Sequence, residues 1–284
     1  MRPSSAAPCA PLYVLGLGPG DSSLLSPEAA AAISASSLIV GYSGYIPLVP
    51  GELLVGKRII STGMTGEIAR AEAAVDAAVN GEETAVVCSG DPGIYALAGL
   101  ILERIERRGL AASDIPLHVI PGIPALCGAA ALLGAPLTHD FACVSLSDLL
   151  TPWAIITARL RHAFAGDFVL VLYNPRSKRR ARQLEEALAI GREHRGTGTP
   201  VGVVRNAFRP GQRVEIVLLG DVAPDSVDMF TILIIGNSAS RIVHGRGECP
   251  LAWACGARML TPRGYTEKYG IARQAGRLYK EPLI

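Results

Sequence analysis

The amino-acid sequence predicts an α/β fold with mixed sheets, arranged as two domains, on three observations. Apolar runs of strand length alternate with helical stretches through residues 12–235, the pattern of sheets covered by helices. Three Pro/Gly junctions between residues 16 and 125 each turn a strand into a helix. A second α/β run starts near Thr138 and includes two strands joined by a hairpin-like segment, residues 205–212, which brings antiparallel pairing into that sheet. At 284 residues and 49% hydrophobic content, the chain can bury the cores of two modest domains.

Taken in order, residues 12–18 form a short apolar strand that ends in Pro19-Gly20-Asp21. Ser26-Pro27-Glu28 opens an Ala-rich helix, with Ser as cap and Pro at its first position. Residues 37–40 are the next strand, and it leaves through Gly41-Tyr42-Ser43-Gly44-Tyr45. Helical spacing over 67–79, a buried strand at 84–87, a helix at 96–108 and a strand at 117–120 follow. Pro121-Gly122-Ile123-Pro124-Ala125 then leads into a helix of small residues, 126–133. The second run reads as strands at 142–146, 167–172, 201–204, 214–218 and 230–235, with helices at 154–164 and 178–190. The expected division is a disordered start (1–11), two α/β domains (12–138 and 139–245) and a mostly irregular tail (246–284).

Composition narrows the function. Lys and Arg number 27 against 25 Asp and Glu, which lacks the basic excess of a dedicated nucleic-acid binder. No apolar run approaches the roughly 18 residues of a membrane span. Residues 1–11 carry no apolar core of a signal peptide, so cytoplasmic residence is the expectation. The six cysteines form no C-x-x-C pair and mostly sit in apolar runs, where reduced thiols behave as small hydrophobes. Cys249 and Cys255 are the pair that could bridge or bind metal, but with only His244 nearby no metal site is expected.

The junctions carry the chemistry. Gly16-Leu17-Gly18-Pro19-Gly20 differs from the dinucleotide fingerprint, because Pro19 removes an N–H that a pyrophosphate would use, and this argues against NAD. Cys88-Ser89-Gly90-Asp91-Pro92-Gly93-Ile94-Tyr95 aims backbone N–H groups and the Asp91 carboxylate beyond the end of the sheet, where ligands settle in α/β folds. The plainer alternative is a βα turn with Asp91 as a helix cap. Small residues after each turn let a flat ligand approach the backbone.

Together, these junctions with Tyr173-Asn174-Pro175 and Gln212-Arg213 resemble the tetrapyrrole methylases, the class III S-adenosylmethionine-dependent methyltransferases, over about residues 12–240. Closer still, Gly41-Tyr42, Tyr45, Ser61, Gly63-Met64, Ala135-Pro136-Leu137, His139-Asp140-Phe141, the long string from Ser145 to Trp153, and Thr261-Pro262-Arg263-Gly264-Tyr265 look like those of the precorrin-3B C17-methyltransferases. That resemblance implies two α/β domains with the active site in the cleft between them, in a homodimer. It implies S-adenosylmethionine held by Pro19, Ser89, Gly90, Asp91, Ile94, Pro124, Ala125, Asn174 and Ala207. The implied substrate is a precorrin, methylated at C17 with contraction of the macrocycle.

Two departures stand out. Many relatives have Ser or Thr where Pro124 stands, and the uroporphyrinogen methyltransferases have Asp where this chain has Tyr42, while the Lys of their Gly-Lys-Arg segment matches Lys57. Methyl transfer rests mainly on positioning, which supplies ~7–11 kcal/mol of barrier lowering in favourable cases. Ring contraction adds proton traffic, for which Tyr42, Tyr45, Lys57, Ser147 and Asp148 are the expected groups, Asp148 having the alternative of a helix cap before Trp153. Arg176, Arg263 and Tyr265 are the expected substrate contacts, cations and a ring suited to a flat polycarboxylate, whereas Arg179, Arg180 and Arg182 read as a solvated face. The open alternatives are methylation at another corrin carbon (C11 or C20), a ribosomal RNA methyltransferase of the same fold, and a non-catalytic tetrapyrrole-binding module.

Overall fold

A computed structural model describes residues 8–110, 113–177, 180–244 and 256–269 of the chain. The expectations for residues 1–7, for Lys178 and Arg179, for Cys249 and Cys255, and for most of the segment 245–256 lie outside the described residues, as do residues 270–284 of the tail.

The first unit contains β1 (Leu12–Gly16), α1 (Pro27–Ala35), β2 (Leu38–Tyr42), β3 (Arg58–Thr62), α2 (Glu67–Val79), β4 (Thr84–Cys88), α3 (Ala98–Arg107) and β5 (Leu117–Ile120). Its five strands are parallel in the order β3-β2-β4-β1-β5. The central β4 is buried at every residue, which is why its sequence is a continuous apolar run and not an alternating one. Helix α1 has the expected cap, Ser26 Oγ accepting from the Ala29 N–H with Pro27 at the first position. Helix α2 buries Ala71, Ala74, Val75 and Ala78, one stripe at helical spacing, against the sheet.

Helix α4 (Ala125–Leu133) follows, then the two-residue strand β6 (Gly134–Ala135). The second unit contains β7 (Phe141–Ser145), α5 (Trp153–Ala165), β8 (Val169–Tyr173), α6 (Arg182–His194), β9 (Pro200–Arg205), β10 (Arg213–Leu218) and β11 (Thr231–Ile235). Its sheet runs β10-β9-β11-β8-β7, with β7 and β8 parallel and the other pairs antiparallel. Strands β7, β8 and β9 therefore point the same way, and β11 runs against them. Helix α4 buries Leu126, Ala129 and Leu133 on this second sheet, against Val169, Val171, Val204 and Ile234. The cores thus divide before α4, although the chain enters the second run of strands only afterwards.

Three local differences from the sequence reading have simple causes. Arg58–Thr62 is an edge strand, exposed at Arg58, Ile59 and Ser61, so it lacks the apolar run of a central strand. Helix α6 starts at Arg182, not at residue 178, because Ser177 and Arg180 close a tight turn through reciprocal backbone hydrogen bonds. The tail is not irregular throughout: its strand β13 (Arg258–Leu260) forms a third sheet with β6 and with β12 (Arg241–Val243), which precedes the tail, and α7 (Tyr265–Tyr269) follows. These strands are three residues or shorter, too brief for a periodicity to show.

Candidate active site

All five strands of the first sheet and three of the second present their carboxyl ends to one interdomain crevice, so the turns that follow them meet there. At its floor the backbones of the first unit's junctions touch. Gly18 and Gly90 exchange backbone hydrogen bonds, 2.8 and 3.2 Å. A Cβ on Gly16 would lie 2.7 Å from the Gly122 Cα, which no side chain tolerates, so both positions require glycine for close approach. Gly90 has φ +70°, and a Cβ there would enter the slot facing Pro124 and Ala125, 3.5 Å from the Pro124 Cα.

Asp91 also holds the junctions together. Its carboxylate is turned inward, accepting from the Gly93 N–H (2.8 Å) and the Gly122 N–H (3.1 Å), so it ties two junctions together. It is not a helix cap, since α3 begins at Ala98.

Pro124 occupies the cap position of α4 and gives it no side-chain hydrogen bond. The hydroxyl comes from the other sheet instead: Tyr173 Oη accepts from the Leu126 N–H at 2.9 Å. Burial pushes the Tyr173 phenol well above its ordinary pKa, although this backbone hydrogen bond opposes the shift. Tyr95, held at φ +53°, packs its ring 5.2 Å from Tyr173 and donates to the Cys143 carbonyl, with burial pushing its phenol up to about 12. Both rings bridge the units as neutral phenols.

On the second sheet, Asn174 (φ +49°) follows β8 and donates to Ser145 Oγ at 2.9 Å, while its carbonyl accepts from Arg180. Ala207 follows β9 and packs, with Ile94 and Ala125, against the cluster around α4. Ser147 lies just past β7, its N–H donating to Ser145 Oγ. Asp148 does not cap α5, whose cap is Pro152; it accepts from Gln183 Nε2 at 2.8 Å and faces Arg180 at 3.9 Å. Arg180 is buried, not solvated, and donates to the Leu146 and Asn174 carbonyls. Burial pulls its pKa below the usual value, against the pull of Asp148.

At the end of β2, Tyr42 and Tyr45 meet edge to face at 4.9 Å, with the Arg70 guanidinium 6.0 Å from the Tyr42 ring centre. Burial raises the pKa of Tyr45 more than Arg209 and Arg70 lower it, so this phenol is a hydrogen-bond donor at neutral pH and a poor base.

Four expected residues are placed elsewhere or engaged. Lys57 precedes β3 and so sits at the opposite, amino edge of the first sheet; its Nζ donates to the Ser34 and Ser36 carbonyls (2.8 and 2.5 Å), a cation at the end of α1. Arg176 is bound to Asp225 at 2.6 Å and to the Pro224 carbonyl. Arg263 lines a 310 Å³ hollow with His139, Asp140, Asp167 and Asn237, at the amino ends of β7 and β8. Tyr265 lines the adjoining hollow with Arg241 and Thr138. A five-residue strand separates that edge from Asn174, about 13 Å at the strand rise. Family spacing gave these residues a sequence position but no sheet edge.

Sequence reasoning missed Arg209. It leaves the β9–β10 loop and crosses to the first unit, its Nε donating to the Pro19 carbonyl and its Nη2 to Ser89 Oγ at 2.5 Å. Its place two residues after Ala207 was the available signal. Among the described residues no group of three or more His, Cys, Asp or Glu could hold a metal ion, and no helix is long and apolar enough to cross a membrane.

Residues 11–223 match the family model described as Tetrapyrrole (Corrin/Porphyrin) Methylases. A relative from Priestia megaterium named cobalt-factor III methyltransferase is 42% identical over 92% of this chain, which spans 46% of that protein, about half its length. A precorrin-3B C(17)-methyltransferase from Sinorhizobium sp is 38% identical over 89% of this chain and 96% of its own. The crystal structure of the methyltransferase CobJ superposes with a TM-score of 0.79 at 37% identity, covering 89% of this chain and all of that one.

Proposed function

The chain belongs to the tetrapyrrole (corrin/porphyrin) methylases, and from that premise we propose that it methylates C17 of precorrin-3B with ring contraction to precorrin-4, using S-adenosylmethionine, in cobalamin biosynthesis. The observation that carries this reading is the single crevice, floored by glycine backbone, into which both sheets direct their carboxyl ends. The names and 38–42% identities of the relatives support the same reaction.

The residues fit the methyl donor. The turns at 18–20 and 89–93 offer backbone donors and acceptors, and Ile94, Ala125 and Ala207 offer an apolar face, the combination a nucleoside with an amino-acid tail requires. When bound, the donor supplies an electrophilic methyl group on a sulfonium. The protein's part is orientation and exclusion of water, because an electron-rich carbon held at attack distance needs no covalent help. Tyr42 and Tyr45 on one wall, and Ser147 and Asp148 on the other, remain the groups for proton movement in the contraction step. Lys57, bound to α1, is not among them.

The relatives are named for a cobalt substrate and for a metal-free one. Incubation of the purified protein with S-adenosylmethionine and either precorrin-3B or cobalt-factor III, followed by mass and NMR spectra of the product, decides between them. The expected product carries one new methyl at C17 of a contracted ring. No methylated product from either substrate, or a methyl at C11 or C20, overturns the reading. We further propose a homodimer, which the resemblance implies and the exposed pair Leu149 and Leu150, at 76% and 92%, supports. Light scattering that gives a monomer mass overturns the dimer.

A further inference from the structure

Among the described residues acidic partners accompany most of the other partly buried arginines; Arg258 is the exception, with only the Ala257 carbonyl at 3.4 Å. Arg104 meets Glu72, Arg176 meets Asp225, Arg180 faces Asp148, and Arg195 meets Asp167. Arg209 is likewise partly buried, yet among the described residues it meets only neutral acceptors, the Pro19 carbonyl and the Ser89 hydroxyl. A guanidinium has five N–H donors. Two are used here, which leaves three without a protein acceptor on a cation whose desolvation no counter-charge offsets.

The loop that presents Arg209 is fixed. Asn206, Phe208 and Gly211 hold φ of +49°, +57° and +76°. The Phe208 N–H donates to Gln212 Oε1 at 2.7 Å, the Arg209 N–H to the Asn206 carbonyl at 3.0 Å, and the Asn206 N–H to the Phe230 carbonyl at 3.0 Å. The loop is further anchored where Arg205 Nε meets Asp228 at 2.8 Å. A long cation held this firmly across a domain boundary, between two junction turns and near the Tyr45 ring, is preorganised for a ligand.

We propose that Arg209 is a carboxylate-binding residue of the crevice. Pro19 and Ser89 orient the guanidinium, and its remaining N–H edge takes the carboxylate as a paired hydrogen bond. This rests on the methyl-transfer reading, under which two carboxylates reach the crevice: that of the donor's amino-acid tail and those of the macrocycle's acid side chains.

The test compares wild-type protein with Arg209→Gln and Arg209→Lys in titrations with S-adenosylhomocysteine, with 5′-methylthioadenosine, the same nucleoside thioether without the carboxylate, and with uroporphyrin as a stable polycarboxylate macrocycle. Arg209→Gln is expected to weaken a carboxylate-bearing ligand at least tenfold while methylthioadenosine binds as to wild type, and Arg209→Lys to restore part of the loss. A loss confined to S-adenosylhomocysteine assigns the donor's carboxylate, and one confined to uroporphyrin assigns the macrocycle's. The proposal is overturned if all three ligands bind the Gln variant as they bind wild type, or if methylthioadenosine loses as much as S-adenosylhomocysteine, the mark of a latch that only holds the units together. Wild-type protein that takes up neither nucleoside overturns the methyl-donor reading instead, and the uroporphyrin arm then decides Arg209 by itself.

Discussion

A methyl group on Gly122 would lie 2.8 Å from the Gly16 Cα, between two backbones that cannot part without breaking the junction. Gly122→Ala is therefore expected to cost ~1–3 kcal/mol of stability, in the range of overpacked sites, and urea denaturation measures it. Unchanged midpoint and slope would show that the turns can separate. Gly90→Val adds strain at φ +70° and fills the slot toward Pro124, so S-adenosylhomocysteine binding should fall below detection in calorimetry while the far-ultraviolet spectrum is kept. Lys57 gives the opposite expectation. As a cation at the carboxyl end of α1 it contributes about 0.3–1 kcal/mol, and Lys57→Met should lower stability by that amount with kcat unchanged. A kcat reduced more than tenfold at equal stability would return Lys57 to the chemistry. The glycines were legible in the sequence because close backbone approach excludes every other residue. The orientations of Lys57, Arg176 and Asp91 were not, because a motif fixes residue type and spacing but not the direction of a long or turned side chain.

Strand ends decide which elements could be read. The continuous apolar runs of β4, β8 and β11 announced buried strands, and the Pro/Gly turns announced where they stop. Edge strand β3 and the two- and three-residue strands of the third sheet escaped, since pairing and not periodicity defines them. The same edge logic gives a pH dependence at the start of β11 and the end of β9. Burial raises the pKa of Asp228, but hydrogen bonds from Arg205, Thr231 and the Phe230 N–H outweigh it and leave the carboxyl below its ordinary range. A carboxyl lowered in the folded state stabilises fully above the unfolded value of about 3.9, and that contribution is lost as pH falls through the lowered value. The difference in denaturation midpoint between wild type and Asp228→Asn should thus be constant from pH 7 to about 5 and shrink below the unfolded value. A difference that stays constant to pH 2 contradicts the pairing.

At the scale of the molecule the tail separates two accounts. The sequence suggested Arg263 and Tyr265 as substrate contacts, but their segment is anchored at the far edge of the second sheet. Strand β13 pairs with β6 on one side and β12 on the other. Between them Met259 is fully buried with Leu126, Leu133, Val169 and Val171, and the Thr261 N–H donates to the Ala135 carbonyl at 3.0 Å. Residues 258–261 are therefore part of the core that joins α4 to the second sheet, while Arg263 and Tyr265 are exposed beside it. Met259→Ala should cost ~2–5 kcal/mol, as expected for a truncated core methionine. Deleting residues 257–284 should cost at least as much, with loss of S-adenosylhomocysteine binding following from unfolding and not from a lost contact. Arg263→Ala and Tyr265→Ala should leave both the thermal midpoint and nucleoside affinity at wild-type values. A deletion variant that stays folded with the wild-type midpoint would show that β13 adds nothing to the core. An Arg263→Ala variant with normal stability and a KM for the macrocycle raised tenfold would restore Arg263 as a substrate contact.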